Sequence, residues 1–318
     1  MSRTVRLAFC FDRGYVLPAA VSLHSLLSHA RSPETVYELN VVAPDLDDAA
    51  RALLTRVTAA FAQARLVFRT PPPLPPEVAR AVDGRSHYSA ALYYKLLLPA
   101  LFPEDGRVAA LDVDTVYTGD VAAVWDAPVE PGACLAGARE PLYYGWRGEG
   151  PLAGRARRVA RYFRDYTPDE RGRMRLNAGL IVYDLEAVRR AGAVARWLDF
   201  ARANRRRLVL PEQDVFNLAL DRPPSELPWD VCAYAPLTDD VPSVQLHYTT
   251  KVKPWDDPGC RRADAWFAAL VSAGLVEDWR RFFVERLRGL YRERYAKTLV
   301  NLRAGRLNLK LLKYGRGR

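Results

Sequence analysis

Short apolar segments alternate with segments of helical spacing in the first quarter of the chain, and this alternation constrains the fold most. The apolar segments 5–11, 37–42 and 65–68 predict three β-strands. Between them, apolar residues recur at helical spacing over 17–27 and 49–61. Because strands and helices alternate along the chain, the sequence predicts a parallel sheet flanked by helices, the arrangement of an α/β protein.

The middle of the chain adds a helix at 89–101 and strands at 107–111, 134–138 and 180–183. The stretch between the last two strands, residues 143–175, is polar and rich in arginine and glycine. We expect this stretch to contain little core and to act as a mobile lid.

The net charge of +10 lies in the C-terminal tail. Residues 286–318 contain eleven basic residues and one acidic residue, whereas the remaining chain has 36 of each sign. Leucine and tyrosine alternate with these basic residues, which predicts amphipathic helical segments suited to an anionic membrane interface. A helix packed on the domain with a solvated basic face is the alternative, and no nucleic-acid-binding module accompanies the charge. We predict a catalytic domain at 1–275 and a basic amphipathic tail at 276–318.

No apolar run approaches the roughly 20 residues that a membrane-spanning helix requires, and the N-terminus does not resemble a signal peptide. We therefore expect a cytoplasmic protein. The four cysteines are widely spaced and form no Cys-x-x-Cys pair, which argues against a zinc site or a disulfide framework.

The sequence Asp112-Val113-Asp114 follows directly after the predicted strand 107–111. Ligands of open α/β sheets gather at the carboxyl ends of strands, and paired carboxylates suit a hard cation that bridges two phosphates. We interpret this pair as a metal site, with a solvated turn as the alternative. A second pair, Asp45 and Asp47, precedes a predicted helix and is interpreted as its N-cap region.

His247 offers a third metal ligand, and Lys253, six residues later, offers a cation for a diphosphate. A lone histidine of this kind is usually a packed surface residue. Together with the aspartate pair, His247 favours a metal site.

These motifs occur in the order typical of a known family, and the chain resembles glycosyltransferase family 8 over residues 5–270. The family contains retaining GT-A enzymes, typified by bacterial lipopolysaccharide galactosyl- and glucosyltransferases. The resemblance implies a Rossmann-like, mixed but mostly parallel sheet flanked by helices, here with a basic helical C-terminal tail. The matching segments are Asp12 with Tyr15, 93–96, 111–114, 176–180, 212–214 and 247–255.

The resemblance also implies roles for individual residues. Asp112, Asp114 and His247 would hold Mn²⁺ or Mg²⁺, and Lys253 would neutralise the departing phosphate. Gln213 and Asp214 would lie at the reactive face of the donor sugar. The full donor-binding set would comprise Cys10, Asp12, Tyr15, Lys95, Asp112, Val113, Asp114, Asn177, Ala178, Glu212, Gln213, His247, Thr250 and Lys253.

Purely structural roles remain open as alternatives for several of these residues. Residues 177–179 could form a strand-entry turn, 212–214 an ordinary helix N-terminus, and Asp12 a helix cap. Tyr93 and Tyr94 are expected to pack in the core.

The resemblance implies transfer of a hexose from UDP-glucose or UDP-galactose to a saccharide or glycolipid acceptor in cell-surface glycan synthesis. The acceptor would be presented at the inner face of the plasma membrane, where the tail would hold the protein peripherally. We hypothesise that Gln213 stabilises the cationic sugar during same-face attack, because an amide is a feeble nucleophile. A catalytically inactive glycan- or nucleotide-sugar-binding protein is the alternative, since Gly14 and Thr250 depart from the family pattern. A sugar-phosphate nucleotidylyltransferase is disfavoured because residues 11–15 lack a glycine-rich, basic loop.

Overall fold

The computed structural model describes residues 3–80, 89–153, 163, 164, 166–235, 237 and 243–303, with the backbone alone at 151, 290, 291 and 293–303. The strands are β1 Arg3–Cys10, β2 Thr35–Val42, β3 Ala64–Arg69, β4 Arg107–Leu111, β5 Thr115–Tyr117, β6 Leu135–Arg139, β7 Leu176–Asp184, β8 Ser225–Glu226, β9 Cys232–Ala235 and β10 Gln245–Tyr248. The helices are α1 Val16–Ser28, α2 Asp48–Thr58, α3 Pro76–Ala79, α4 Tyr94–Leu101, α5 Ala122–Trp125, α6 Pro141–Trp146, α7 Pro168–Arg173, α8 Leu185–Arg190, α9 Ala193–Asn204, α10 Pro211–Leu218, α11 Ala263–Ser272 and α12 Val276–Arg303.

The main sheet has seven strands in the order β3-β2-β1-β4-β7-β6-β8. Neighbouring strands among β3, β2, β1 and β4 are parallel, whereas β7 runs antiparallel to both β4 and β6. The second half of β1, residues 7–10, and residues 108–111 of β4 are buried on both faces, and all of these residues are apolar. The fold is therefore the mixed, mostly parallel α/β arrangement that the family resemblance implies, whereas the alternation of strands and helices alone predicted a parallel sheet.

Strand β7 begins four residues before the predicted segment, so the interpretation of residues 177–179 as a strand-entry turn is wrong. All three residues lie within the strand and are buried. The pairing of β6 with β7 is irregular between Gly137 and Ala138. A methyl group at Gly137 would lie 2.4 Å from Cδ1 of Leu176 and 3.1 Å from the carbonyl of Leu180, so a larger residue here would displace the Leu176 side chain.

A second sheet of three short strands, β5-β10-β9, was not predicted from the sequence. In this sheet β10 is antiparallel to β5 and parallel to β9. The last residue pair between β10 and β5 is His247 with Thr115. Directly beyond this pair, the backbone N–H of Tyr248 donates to the carbonyl of Asp114 at 2.9 Å. This sheet therefore places His247 beside the aspartate pair, although more than 130 residues separate them in sequence.

The main core lies between the sheet and the helices packed against it, and its large aromatic members include Tyr93, Trp197 and Phe216. Tyr93 is fully buried and Tyr94 packs partly against the same core, as expected from the sequence. The predicted helix 89–101 begins with a 3₁₀ turn capped by Ser89, and α4 follows from Tyr94.

A second buried cluster contains five residues of the stretch that was expected to hold little core, so that expectation is wrong. The cluster members are Tyr143, Tyr144, Phe163, Tyr166, Met174 and Leu218. Tyr143 and Tyr144 stack edge to face with ring centroids 4.9 Å apart. Residues 154–162 and 165 lie outside the described part of the chain, and lid motion stays a prediction.

The chain divides into two compact units, residues 1–273 and 274–318. The second unit contains the long helix α12, and residues 304–318 lie outside the described part. Along the first half of α12, the exposed residues include Val284, Leu287 and Arg286. No helix among the described residues is long and apolar enough to cross a membrane.

Candidate active site

The structure brings Asp112, Asp114 and His247 together at the carboxyl end of β4. One ligand atom from each residue lies within 4.8 Å of the others. The Nε2 atom of His247 is 3.1 Å from Oδ1 of Asp114 and 3.6 Å from Oδ2 of Asp112. The group combines two carboxylate oxygens with one imidazole nitrogen.

Gly179 leaves the space that the imidazole of His247 occupies. A methyl group at position 179 would lie 2.2 Å from Cε1 and 2.3 Å from Nδ1 of that ring. The carbonyl of Gly179 accepts a hydrogen bond from the N–H of Asp112 at 3.0 Å. The β7 backbone therefore supports both a candidate carboxylate ligand and the candidate imidazole ligand.

Two lysines neutralise the aspartates. Lys95 Nζ is 2.5 Å from Oδ1 of Asp112, and Lys253 Nζ is 2.6 Å from Oδ2 of Asp114. Burial opposes the charged form of Asp114, but Lys253 and His247 outweigh it and lower the carboxyl pKa. Burial also opposes a charged His247, yet the neighbouring Asp114 raises the pKa of the imidazole to about 10.

A divalent cation fits this group on the chemistry of its donors. Carboxylate oxygens suit Mg²⁺ and Mn²⁺, whereas an imidazole nitrogen suits transition metals, so the mixed set favours Mn²⁺. Each aspartate keeps one oxygen facing His247 while its other oxygen contacts a lysine. The residues at this end of β4 can therefore hold the cation that the sequence predicts.

A buried network of amide and carboxylate groups joins β6, β7 and α10. The Glu140 carboxylate accepts hydrogen bonds from Gln213 Nε2 at 2.7 Å and from Asn177 Nδ2 at 2.9 Å. The side-chain oxygen Oε1 of Gln213 accepts from the backbone N–H of Ala178 at 3.0 Å. These bonds hold both the nitrogen and the oxygen of the Gln213 side-chain amide.

Glu140 is a candidate functional residue that the sequence reasoning missed. It is buried, and this burial raises the pKa of its carboxyl group. Glu140 directly follows β6 and lies two residues after the predicted strand 134–138, and a position after a strand is the same signal that identified Asp112 after β4. Asp112 was easier to recognise than Glu140 only because it forms a pair with Asp114.

Lys95 and Glu212 lie in the same buried region. Lys95 Nζ donates to the carbonyl of Ala178 at 3.0 Å and lies 3.4 Å from the Glu212 carboxylate. Burial raises the pKa of Glu212. The structure thus places Lys95 against Asp112, Glu212 and the β7 backbone.

Residues 212–214 form the first turn of α10, which begins at Pro211. The Asp214 carboxylate accepts from the hydroxyl of Tyr166 and from the N–H groups of Val209 and Leu210 at 2.7 and 2.9 Å. Burial raises the pKa of Asp214 to about 7. These bonds hold the approach to α10, and Asp214 thereby supports the placement of Gln213.

The residues predicted to bind the nucleotide base lie at the end of β1. Cys10 is buried in the last strand position, and Asp12 caps a 3₁₀ turn by accepting from the N–H of Gly14 at 2.8 Å. The Tyr15 ring packs edge to face on Trp255, with centroids 5.8 Å apart. Asp47 caps α2, as the sequence predicts.

Thr250 lies in the turn after β10, where its hydroxyl donates to the carbonyl of Val252 at 3.0 Å. Among the described residues, Arg262 is the one non-glycine residue with a positive φ angle. Position 250 therefore has no backbone requirement for glycine. Lys253 follows in the same turn, and its ammonium group also donates to the carbonyl of Tyr248.

The mixed, mostly parallel sheet matches the fold of solved GT-A glycosyltransferases. The sequence pattern of glycosyl transferase family 8 matches residues 6–259. The chain therefore belongs to glycosyl transferase family 8. The resemblance drawn from the motif order is confirmed.

Solved structures support the same fold. The bifunctional glycosyltransferase WbbM has a TM-score of 0.67 at 18% identity, with 89% of this chain and 52% of that chain covered. The galactosyltransferase LgtC, solved with donor and acceptor sugar analogs, has a TM-score of 0.64 at 17% identity, with coverages of 87% and 100%. GlyE of Streptococcus pneumoniae has a TM-score of 0.60 at 15% identity, with coverages of 88% and 63%. This chain thus spans about half the length of WbbM. A comparison with curated proteins gave no match.

Proposed function

We propose that the protein is a metal-dependent, retaining hexosyltransferase that uses UDP-glucose or UDP-galactose and a saccharide or glycolipid acceptor. One observation carries the proposal: Asp112, Asp114 and His247 converge at the carboxyl end of β4, the sheet edge at which open α/β sheets bind their ligands. LgtC, a galactosyltransferase of similar fold, was solved with donor and acceptor sugar analogs, which supports a sugar donor here.

Charge stabilisation at the diphosphate is the first requirement of the reaction. Asp112, Asp114 and His247 would hold Mn²⁺, which supplies Lewis-acid stabilisation of the developing phosphate charge. Lys253 lies beside Asp114 in a turn that is partly exposed, so its ammonium group can also bind the leaving phosphate. Each preorganised charge of this kind contributes on the order of a few kcal/mol to catalysis.

Orientation of the donor sugar is the second requirement. The buried network of Glu140, Asn177 and Gln213 presents polar groups that can bind sugar hydroxyls, and its low exposure excludes water from the reacting centre. The amide oxygen of Gln213 accepts from Ala178 with one lone pair and keeps the other. We assign that second lone pair to stabilisation of the cationic sugar during same-face attack. A covalent glycosyl adduct on Gln213 or Asp214, detected by mass spectrometry, would contradict this assignment.

The departures at Gly14 and Thr250 are compatible with an active enzyme. Neither position has the positive φ angle that demands glycine. The Thr250 hydroxyl is bound within its own turn, and Gly14 donates its N–H to Asp12. The inactive binding protein remains the alternative, and the following measurement separates it from the enzyme.

The wild-type protein is expected to release UDP from UDP-glucose or UDP-galactose when Mn²⁺ is present. Without an acceptor the release is slow hydrolysis, and removal of Mn²⁺ with a chelator should lower the rate by about 100-fold or more because the phosphate charge loses its main partner. A coupled assay measures the release of UDP. In parallel, a titration with Mn²⁺ measures metal binding by the shift in melting temperature. Donor binding with no release, with or without saccharide acceptors, would instead support the inactive alternative.

We also propose that α12 and the basic tail hold the protein at the inner face of the plasma membrane, where the acceptor would be presented. Of the eleven basic residues at 286–318, Arg286, Arg288 and Arg292 are exposed on α12 in the described structure. Leu287 is exposed between them, which provides apolar area for an interface. Each basic residue near an anionic surface contributes about 1 kcal/mol to binding.

Neutralising four tail arginines is expected to weaken binding to anionic vesicles by about 100-fold or more, since several charge contacts are lost together. Sedimentation with phosphatidylcholine vesicles, with and without phosphatidylglycerol, measures the change. Equal binding by the tail variant and by a variant neutralised elsewhere would contradict the proposal. The tail variant replaces Arg286, Arg288, Arg292 and Arg294 by glutamine, and the control replaces Arg189, Arg190, Arg196 and Arg202.

A further inference from the structure

Two arginines, Arg139 at the end of β6 and Arg175 just before β7, share one carboxylate partner. Nε of Arg139 lies 3.4 Å and Nη1 of Arg175 lies 3.5 Å from the Glu226 carboxylate. Both distances exceed the usual length of an N–H···O hydrogen bond, and the carboxylate accepts its hydrogen bond from the hydroxyl of Tyr144. Two positive charges against one negative charge leave this arginine pair with an excess of positive charge.

The arginine pair has donors to spare. Nε of Arg139 is buried without a hydrogen-bond partner, and no described residue accepts a hydrogen bond from the rest of its guanidinium group. Arg175 makes one such bond, from Nε to the carbonyl of Gly172 at 3.1 Å. The two side chains are 32% and 43% exposed, so a ligand can reach them. Each guanidinium group carries five N–H donors in a planar fork that matches two oxygens of a carboxylate or phosphate.

Aromatic rings hold both guanidinium groups in place. Cζ of Arg139 lies 5.6 Å from the centre of the Tyr144 ring and 5.7 Å from that of Trp229, and Cζ of Arg175 lies 6.0 Å from that of Tyr143. Side chains that are held before binding lose less conformational entropy when a ligand arrives. Trp229 is half-buried, so part of its indole ring offers apolar area for a sugar ring beside the arginines.

The backbone places the arginine pair next to the candidate active site. Arg139 directly precedes Glu140, whose N–H donates to the carbonyl of Arg175 at 2.7 Å. The carbonyl of Arg139 accepts from the hydroxyl of Tyr234 at 2.7 Å, and the centroids of the Tyr234 and His247 rings are 6.1 Å apart. One side chain therefore separates the Arg139 backbone from the candidate metal ligands. A transferase must hold its acceptor beside its donor, and the arginine pair lies at that distance.

We propose that Arg139 and Arg175 bind an oxyanion carried by the acceptor, so that the acceptor is an acidic saccharide. The inference rests on the proposed function, which supplies the donor half of the reaction. A sugar phosphate and a sugar carboxylate each present a pair of oxygens to an arginine fork, and separate probes distinguish them. The pair determines which acceptor binds and does not touch the reacting atoms.

The wild-type protein is expected to bind at least one acidic saccharide about tenfold or more tightly than its neutral counterpart, because hydrogen bonds between charged groups are the strong ones. The matched probes are glucose 6-phosphate with glucose, and methyl glucuronide with methyl glucoside. Saturation-transfer NMR titrations of the full chain, in chelator and without donor, measure the dissociation constants. Equal affinities within both pairs, or no binding of either acidic probe, would overturn the proposal.

Inorganic phosphate is the third probe and separates a saccharide site from a plain anion site. Glucose 6-phosphate is expected to bind about threefold or more tightly than inorganic phosphate, since its sugar ring covers apolar area on Trp229. Equal affinity would mean that the arginine pair recognises the anion alone, which would contradict an acceptor site.

The Arg139→Gln and Arg175→Gln variants are each expected to weaken binding of the preferred acidic saccharide by about tenfold or more. Arg139→Lys keeps the charge but not the planar fork, so it should restore only part of the loss. The control is Arg190→Gln, which removes an exposed arginine paired with Glu186 on α8. Melting temperatures identify folded variants. Full affinity in the folded pair variants, or an equal loss in the control, would overturn the proposal.

The titrations contain neither donor nor Mn²⁺, so their outcome is separate from donor hydrolysis. Mn²⁺-dependent release of UDP without a preference for acidic saccharides would overturn the acceptor assignment alone. A preference that depends on the arginine pair, without UDP release from either donor, would instead contradict the proposed function.

Discussion

Replacement of Asp114 by asparagine is expected to abolish the Mn²⁺-dependent thermal shift and to lower the rate of UDP release by about 1,000-fold. Asparagine keeps the volume of the side chain but removes the charge from the oxygen that faces His247 at 3.1 Å. It also leaves Lys253 without its carboxylate partner. Both groups that would neutralise the leaving diphosphate are affected, so the effect exceeds that of losing one hydrogen bond. The rate of UDP release and the melting temperature, each measured at increasing Mn²⁺ concentration, test this expectation.

The chain offers a matched control in its second aspartate pair. Asp47 caps α2 by accepting from the N–H of Ala50 at 2.9 Å, and asparagine is an equally good cap. The variant Asp47→Asn should therefore keep the rate and the Mn²⁺ shift of the wild type. A comparable loss in both variants, or an undiminished Mn²⁺ response in Asp114→Asn, would contradict a metal site at the end of β4.

Six of the seven strands of the main sheet were predictable because each contains a short apolar run, although β7 begins four residues before its predicted segment. Strand β8 has only two residues and was not predicted. Strand β4 matches its predicted bounds, and Asp112 and Asp114 follow it as expected. The three-stranded sheet was not predictable, since β5 and β10 have three and four residues and carry no period that distinguishes them from a loop. His247 was recognised from its motif, but its strand and its packing on Gly179 required the structure.

Partnerships between distant side chains were equally hidden. No sequence pattern indicates that Lys95 contacts Asp112 and Glu212, because these pairs depend on how α4 and α10 pack beside β4. The aromatic cluster around Tyr143 was missed for a related reason. The abundant arginines and glycines of that stretch dominate its composition, whereas its buried tyrosines become evident only when they meet Leu218 of α10.

Replacement of Gly179 by alanine is expected to lower the free energy of unfolding by about 1–3 kcal/mol, the usual cost of overpacking, and to eliminate Mn²⁺ binding. The added methyl group would lie 2.2 Å from the His247 ring, far inside contact distance, and 3.0 Å from Oδ1 of Asn177. The imidazole must turn away or the β7 backbone must move, and the N–H of Asp112 is bonded to that same backbone. Thermal unfolding and Mn²⁺ titration measure the two effects.

Two comparisons show whether the clash with His247 is the cause. A methyl group added at Gly106 would have no atom within 4 Å, and Gly106 lies at the other end of β4, so Gly106→Ala should leave Mn²⁺ binding intact. In a His247→Ala background the ring is absent, and Gly179→Ala should then cost less than about 1 kcal/mol in unfolding free energy. An equal cost with and without the imidazole would mean that the glycine serves β7 alone, whereas a coupled cost would show that position 179 is kept small for the candidate ligand.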